Sequence, residues 1–370
     1  MTTRTTLILF GIIFTLGIFL VVILPFFLVK RPPSTPTIKN STKQENQITD
    51  QGIFRSDDGG LTWHQKPWIE ASNGSIAPLV VNRIVQDPAD PQTIYLATDG
   101  QGIWISKSRG DLWAPVKDHT NTLDPLANVL ALAVNPANTL EWYVAAFQKN
   151  RGRLLVTTDG GKSFREMYFT PLERFGIFDV AYDRNRSTAE IVTGQGGFLE
   201  TQDQGRTWRV RRWFADGLTR LLVDPANSAR EYVVSSRGSI FRTEDQGHSW
   251  FDVTEGLRGY SSATTNQNWF IDGSGTLYLA SNYGLLRSRD HGVSFKAPPL
   301  IIPPDALPVL AVAVDPKNPN HIIASALNQL YRSRDDGETW AILPSPSTKR
   351  ITHLLFDSES TSTIYAVVAP

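Results

Sequence analysis

One eight-residue pattern recurs along this chain with near-constant spacing. It reads Ser/Thr-x-Asp-x-Gly-x-Ser/Thr-Trp/Phe, first at Ser56–Trp63 and again from Thr157, Thr201, Thr243, Ser288 and Ser333. A degenerate seventh copy runs from Ser106 to Trp113, with Ser108 in the Asp position and Leu112 in the hydroxyl position. The third positions lie at 58, 108, 159, 203, 245, 290 and 335, steps of 42 to 51 residues. That is about the length of one four-stranded propeller blade.

Each copy sits between two short β-type runs, such as Gly52-Ile53-Phe54-Arg55 before the first. The pattern reads as a hairpin turn. Its Gly supplies a backbone conformation that other residues resist. Its Asp and hydroxyl side chains accept hydrogen bonds from the local backbone. Asp58, Asp159, Asp203, Asp245, Asp290 and Asp335 are therefore expected to hold turns. Seven near-copies arranged around a ring cannot converge on one catalytic or metal centre.

A second turn signal runs out of phase, at Asp87-Pro88, Asn135-Pro136, Asp183, Asp224-Pro225, Asp272-Gly273, Asp315-Pro316 and Asp357. One repeat is thus strand, Asp-Pro turn, strand, loop, strand, box, strand. The first box has no Asp-Pro hairpin before it, and the last hairpin, 351–369, has no box after it. Pairing these two half-units completes a seventh blade and removes the exposed sheet edges. The expected architecture is an all-β, seven-bladed β-propeller over 51–370, its last blade closed two strands plus two. Box turns and Asp-Pro turns then share one face, and the remaining loops share the other.

Residues 7–29 form an apolar stretch long enough to cross a bilayer as a helix. Lys30-Arg31-Pro32-Pro33 follow it in place of the small residues of a cleavage site. An uncleaved transmembrane helix is expected here, after a short tail at 1–6 and before a flexible linker at 30–50. Charges flanking the span are nearly balanced, so they do not orient it. The propeller is expected to be extracytoplasmic, in periplasm, lumen or cell exterior. The linker is expected to enter on the face opposite the boxes.

Positive and negative side chains both number 36, which argues against bulk nucleic-acid binding. The chain has no cysteine and six histidines without metal-ligand spacing. No serine elbow, phosphate loop or dinucleotide fingerprint occurs. No catalytic residue, metal or cofactor is expected. The feature that stands out is Trp208-Arg209-Val210-Arg211-Arg212-Trp213-Phe214. Arg209, Arg211, Arg212, Trp213 and Arg237, with Arg151 and Arg153, are expected to bind a protein partner or anionic lipid head groups. The alternative is a solvated outer strand balanced by Glu166, Glu173 and Asp216. The loops around Trp68, Tyr260 and Trp269 are expected to complete the partner face.

The boxes identify the propeller as resembling the Asp-box (BNR) repeat superfamily. Sialidases share the boxes, but the resemblance implies six blades and an arginine triad that this chain does not show. Xyloglucanase-type hydrolases are similar in their repeats, and that resemblance implies two propellers with a carboxylate pair in the cleft between them. The layout most resembles the photosystem II assembly and stability factors, single seven-bladed propellers with an arginine-rich patch. That resemblance implies a non-enzymatic scaffold for a membrane protein complex or its assembly intermediate, a photosynthetic complex included. The rival expectation is a carbohydrate-active protein using loop carboxylates among Glu70, Asp118, Asp124, Glu173 and Asp216.

Overall fold

The second strand of every blade decides how the molecule packs. Ile94–Thr98, Glu231–Ser235 and Ile364–Val368 are buried along their whole length. Such strands lie between two neighbouring sheets, so they are apolar on both faces and lose the alternation of a half-exposed strand. The computed structural model describes residues 50–183 and 187–370. Within them, seven antiparallel sheets are arranged as the blades of a ring.

We number the blades 1 (81–115), 2 (128–169), 3 (177–213), 4 (218–252), 5 (268–288), 6 (309–343) and 7 (52–65 with 351–368). Six sheets have four strands; blade 5 has three. There the fourth strand shrinks to one bridge, Arg287 with Lys296, because Pro298 and Pro299 follow it without N–H donors. Blade 7 closes as expected. Gly52–Ser56 pairs antiparallel with Ile364–Val368, in the register Gly52 to Val368 and Ser56 to Ile364.

Each interface between adjacent blades holds its own apolar cluster. Ile53, Val81, Ile94, Trp113 and Tyr365 join blade 7 to blade 1. Val192, Phe198, Phe214, Leu218 and Val233 join blade 3 to blade 4. The aromatic that ends each box belongs to this seam. Trp63, Trp113 and Trp208 donate their indole N–H to carbonyls of the preceding blade, at Pro344, Lys66 and Met167.

The first strands surround the axis, and six of the seven carry a register shift near their start. The residues just past the shifts are Arg83, Ala131, Asp179, Arg220, Ala311 and His353. A bulge bends a strand and re-aims the next side chain. Arg83 of blade 1 and Arg220 of blade 4 thereby reach Asp179 of blade 3, at 3.2 and 3.3 Å.

The segments expected as tail, membrane helix and linker (1–6, 7–29 and most of 30–50) lie outside the described residues. Among the described residues no helix is long and apolar enough to cross a membrane. Residue 50 meets the propeller beside the loop between blades 6 and 7, where Thr348 donates to the Asp50 carboxylate at 2.6 Å. The chain therefore enters on the face opposite the boxes.

Candidate partner-binding face

The box aspartates are occupied by their own turns. In the box at Thr157, Asp159 Oδ1 accepts the N–H of Lys162 and Ser163, and Oδ2 accepts the Ser163 hydroxyl. The Ser163 hydroxyl and then its N–H hold the Asp159 carboxyl down at about 2. Asp203, Asp245 and Asp335 are lowered to about 2 in the same way, by Thr207, Ser249 and Thr339. The degenerate copy keeps the geometry with less: Ser108 Oγ accepts the N–H of Leu112 at 3.0 Å.

Arg209–Trp213 forms the outermost strand of blade 3. A bulge leaves Arg211 without a partner between the pairs Leu199–Val210 and Phe198–Arg212, and there its side chain is re-aimed away from its neighbours' course. Arg211 turns inward with its side chain only 6% exposed, 3.4 Å from the buried Glu200 carboxylate. It also donates to the Gln246 carbonyl of blade 4 at 2.6 Å. Arg209 reaches the same Glu200 at 3.8 Å but is 68% exposed. Arg212 is exposed and lies over the Phe214 ring, 5.5 Å from its centroid. Trp213 is 53% exposed. Arg237, on the next loop round the ring, pairs with Asp216 at 3.0 Å and is mostly exposed. Arg209, Arg212, Trp213 and Arg237 present a surface; Arg211 is a structural tie between blades.

Arg151 and Arg153 stand on the third strand of blade 2, around the exposed Phe169 ring at 5.7 and 6.0 Å from its centroid. Arg151 donates to the Pro171 carbonyl at 2.9 Å, and Arg153 pairs with Glu166. Leu172 and Phe175 are exposed on the following loop. Sequence reasoning singled out the arginines and missed these apolar neighbours, since an apolar loop residue looks the same whether it packs inward or outward. It also misplaced two aromatics. Trp269 is buried in the seam of blades 4 and 5, and Tyr260 donates to the Phe295 carbonyl. Trp269 is thus buried in the ring, and Tyr260 is half-buried and tied to it.

The loop carboxylates named for glycan chemistry are dispersed. Asp118 accepts the N–H of Thr120, Thr122 and Leu123. Glu173 pairs with Arg151, and Asp216 with Arg237. The axis carries the group that sequence reasoning missed. Burial pushes the Asp179 carboxyl up, against the pull of Arg83. Burial, then the nearby Arg83 charge, pushes His353 down to about 4, and its Nε2 lies 3.1 Å from the Asn82 carbonyl. The signal was the residue after each bulge, which cannot be located without the register.

A family model described as "Photosynthesis system II assembly factor YCF48" matches residues 150–363, more than half of the chain. The chain belongs to that family. A model of sortilin, neurotensin receptor 3, matches residues 51–192. A curated relative, an oligoxyloglucan-reducing end-specific xyloglucanase of Emericella nidulans, is 31% identical over 165 residues. That match covers 39% of this chain and 19% of the relative, so the chain spans about a fifth of its length. Among solved structures, a GH74 xyloglucanase from Xanthomonas campestris superposes with TM-score 0.64 at 20% identity, over 79% of this chain and 51% of that one. The structure titled "YCF48 bound to D1 peptide" superposes with TM-score 0.58 at 18% identity, over 83% of this chain and all of that one. These two likenesses show the fold.

One expectation is corrected by these relatives. The chain was expected to have no enzymatic activity, yet it shares repeats and fold with xyloglucanases. Enzymatic inactivity is therefore withdrawn, and glycoside hydrolysis is an activity to assay.

Proposed function

We propose that this propeller is an assembly-factor scaffold that takes a segment of a membrane-protein partner on the face opposite its boxes. In this reading the stretch at 7–29 anchors it at an extracytoplasmic membrane surface. The observation that carries the reading is the clustering of exposed Arg212, Trp213 and Arg237, with the half-buried Arg151 and Arg153 beside the exposed Phe169 ring. Arginine and aromatics dominate protein-binding hot spots because they combine area, planarity and directed donors. Family membership supports it, as does a YCF48 structure with a bound D1 peptide.

The test must spare Arg211, whose loss would loosen two blades. Arg212→Glu combined with Trp213→Ala is expected to abolish co-purification of partner subunits from solubilised native membranes, with an unchanged melting temperature. Undiminished co-purification by the folded variant rejects the face. Protease protection of the propeller in intact vesicles tests the membrane placement.

Glycan hydrolysis is a second reading, favoured by the 31% identity to a xyloglucanase. Release of new reducing ends from xyloglucan oligosaccharides, lost on Glu70→Gln or Asp124→Asn, establishes it.

A further inference from the structure

Six of the seven blade interfaces share a clasp that no single repeat reveals. An arginine on an outer strand of one blade donates to the carbonyl of the fourth box residue of the next. Arg55 reaches Arg109 at 2.8 Å, Arg165 reaches Gln204 at 2.7 Å, and Arg211 reaches Gln246 at 2.6 Å. Arg242 reaches His291 at 2.7 Å, Arg287 reaches Asp336 at 2.6 Å, and Arg332 reaches Gly59 at 2.8 Å. The acceptors share one left-handed backbone conformation, φ from 54° to 75°. That conformation turns their carbonyls toward the preceding blade.

Blade 1 lacks the arginine. The third-strand position held elsewhere by Arg55, Arg242, Arg287 and Arg332 is Ile105. Blades 2 and 3 place their arginine on the fourth strand instead, Arg165 and Arg211. In blade 1 the fourth-strand residue paired with Ile105 is Ala114. The acceptor is intact: Gly160 has φ 73° and donates its N–H to Leu140, as the equivalent Gly59 and Gln246 donate to their own turns. Among the described residues no arginine reaches the Gly160 carbonyl.

Beside the unclasped Gly160 lies a cleft of about 460 Å³, lined by Ile105, Leu140, Trp142, Asp90, Asp159 and Gly160 among others. Between blades 5 and 6 the clasping Arg287 lines a separate cleft of about 380 Å³ with Arg289, Asp290 and Glu338. Ile105, Leu140 and Trp142 give an apolar wall for a methylene stem. The carboxylates of Asp87, Asp90 and Asp159 accept hydrogen bonds from their own turns, and their charges still outnumber the ammonium groups of Lys107 and Lys162 that also line the cleft. A guanidinium suits this combination, because its planar fork donates to a carbonyl while its stem lies on apolar surface.

We propose that the cleft between blades 1 and 2 receives an arginine side chain from a protein partner, completing the ring of clasps. It lies at the box end of the blades, so it stands apart from the face discussed above and does not rest on that reading. The probe is N-acetyl-arginine amide, titrated into the full chain with amide NMR detection, beside the neutral isostere N-acetyl-citrulline amide. Saturable shifts at Gly160, Gly161 and Lys162 with the arginine probe, at least tenfold weaker with citrulline, are expected. Ile105→Arg and, separately, Ala114→Arg supply the clasp from within. Each is expected to keep or raise the melting temperature and to remove the shifts. Absence of saturable shifts in the parent chain overturns the proposal. So does their persistence in either filled variant.

Discussion

At the scale of single residues, the box is a closed hydrogen-bonding unit, and its aspartate is used up holding it. Two backbone N–H groups and two hydroxyls converge on Asp159, and the same set recurs at Asp58. The degenerate copy shows what is dispensable. Ser106 still accepts the Gly110 N–H at 2.9 Å, and Ser108 still accepts from Leu112. The charge and one acceptor oxygen are what is lost. Ser108→Asp is therefore expected to stabilise the fold by about 1 kcal/mol, the usual net worth of a hydrogen bond. Chemical denaturation would show a higher midpoint with an unchanged slope. All of this was legible in the sequence, because every partner of the box aspartate lies within four residues of it.

At the scale of strands and blades, legibility fades. Burial of the second strands on both faces was hidden behind a rough alternation, since periodicity reports one neighbour well and two neighbours poorly. The arginines flanking the boxes were visible, but their acceptors lie 35 to 273 residues away. Arg211 shows the consequence. Its sequence context is that of a surface cation, and its place in a bulge of the outer strand turns it into a blade clasp. Removing one such clasp leaves a half-buried carbonyl without its charged donor, which costs about 1.5–3 kcal/mol. Arg332→Ala, which frees the Gly59 carbonyl at the closing blade, is expected to lose that much. Each kcal/mol lowers Tm by about 2–4 °C in a chain of this size, so calorimetry would resolve the drop.

For the whole molecule, the axis matters most, because there residues from non-adjacent blades meet. Arg83, Asp179 and Arg220 tie blades 1, 3 and 4 together, and His353 of blade 7 sits against Asn82 of blade 1. His353 is lowered from 6.5 to about 4. Below pH 6.5 the unfolded chain takes up a proton on this histidine that the folded propeller refuses. Its contribution to stability is therefore complete above pH 6.5 and is lost progressively as pH falls to about 4. His353→Asn is expected to flatten the fall of Tm across that window, measured by thermal unfolding at intervals of half a pH unit. A parent and variant with parallel Tm profiles would contradict it.

The number of blades, the closure of the ring and the two faces follow from the sequence alone, because a period and two complementary half-units are one-dimensional facts. The apolar stretch at 7–29 and the arginine-rich segment are one-dimensional as well, and what they do is the subject of the proposals above. Only the tertiary structure decided which arginines face solvent, which clasp the next blade and where a clasp is missing. Those outcomes depend on strand register and on which sheet lies alongside, and local sequence encodes neither.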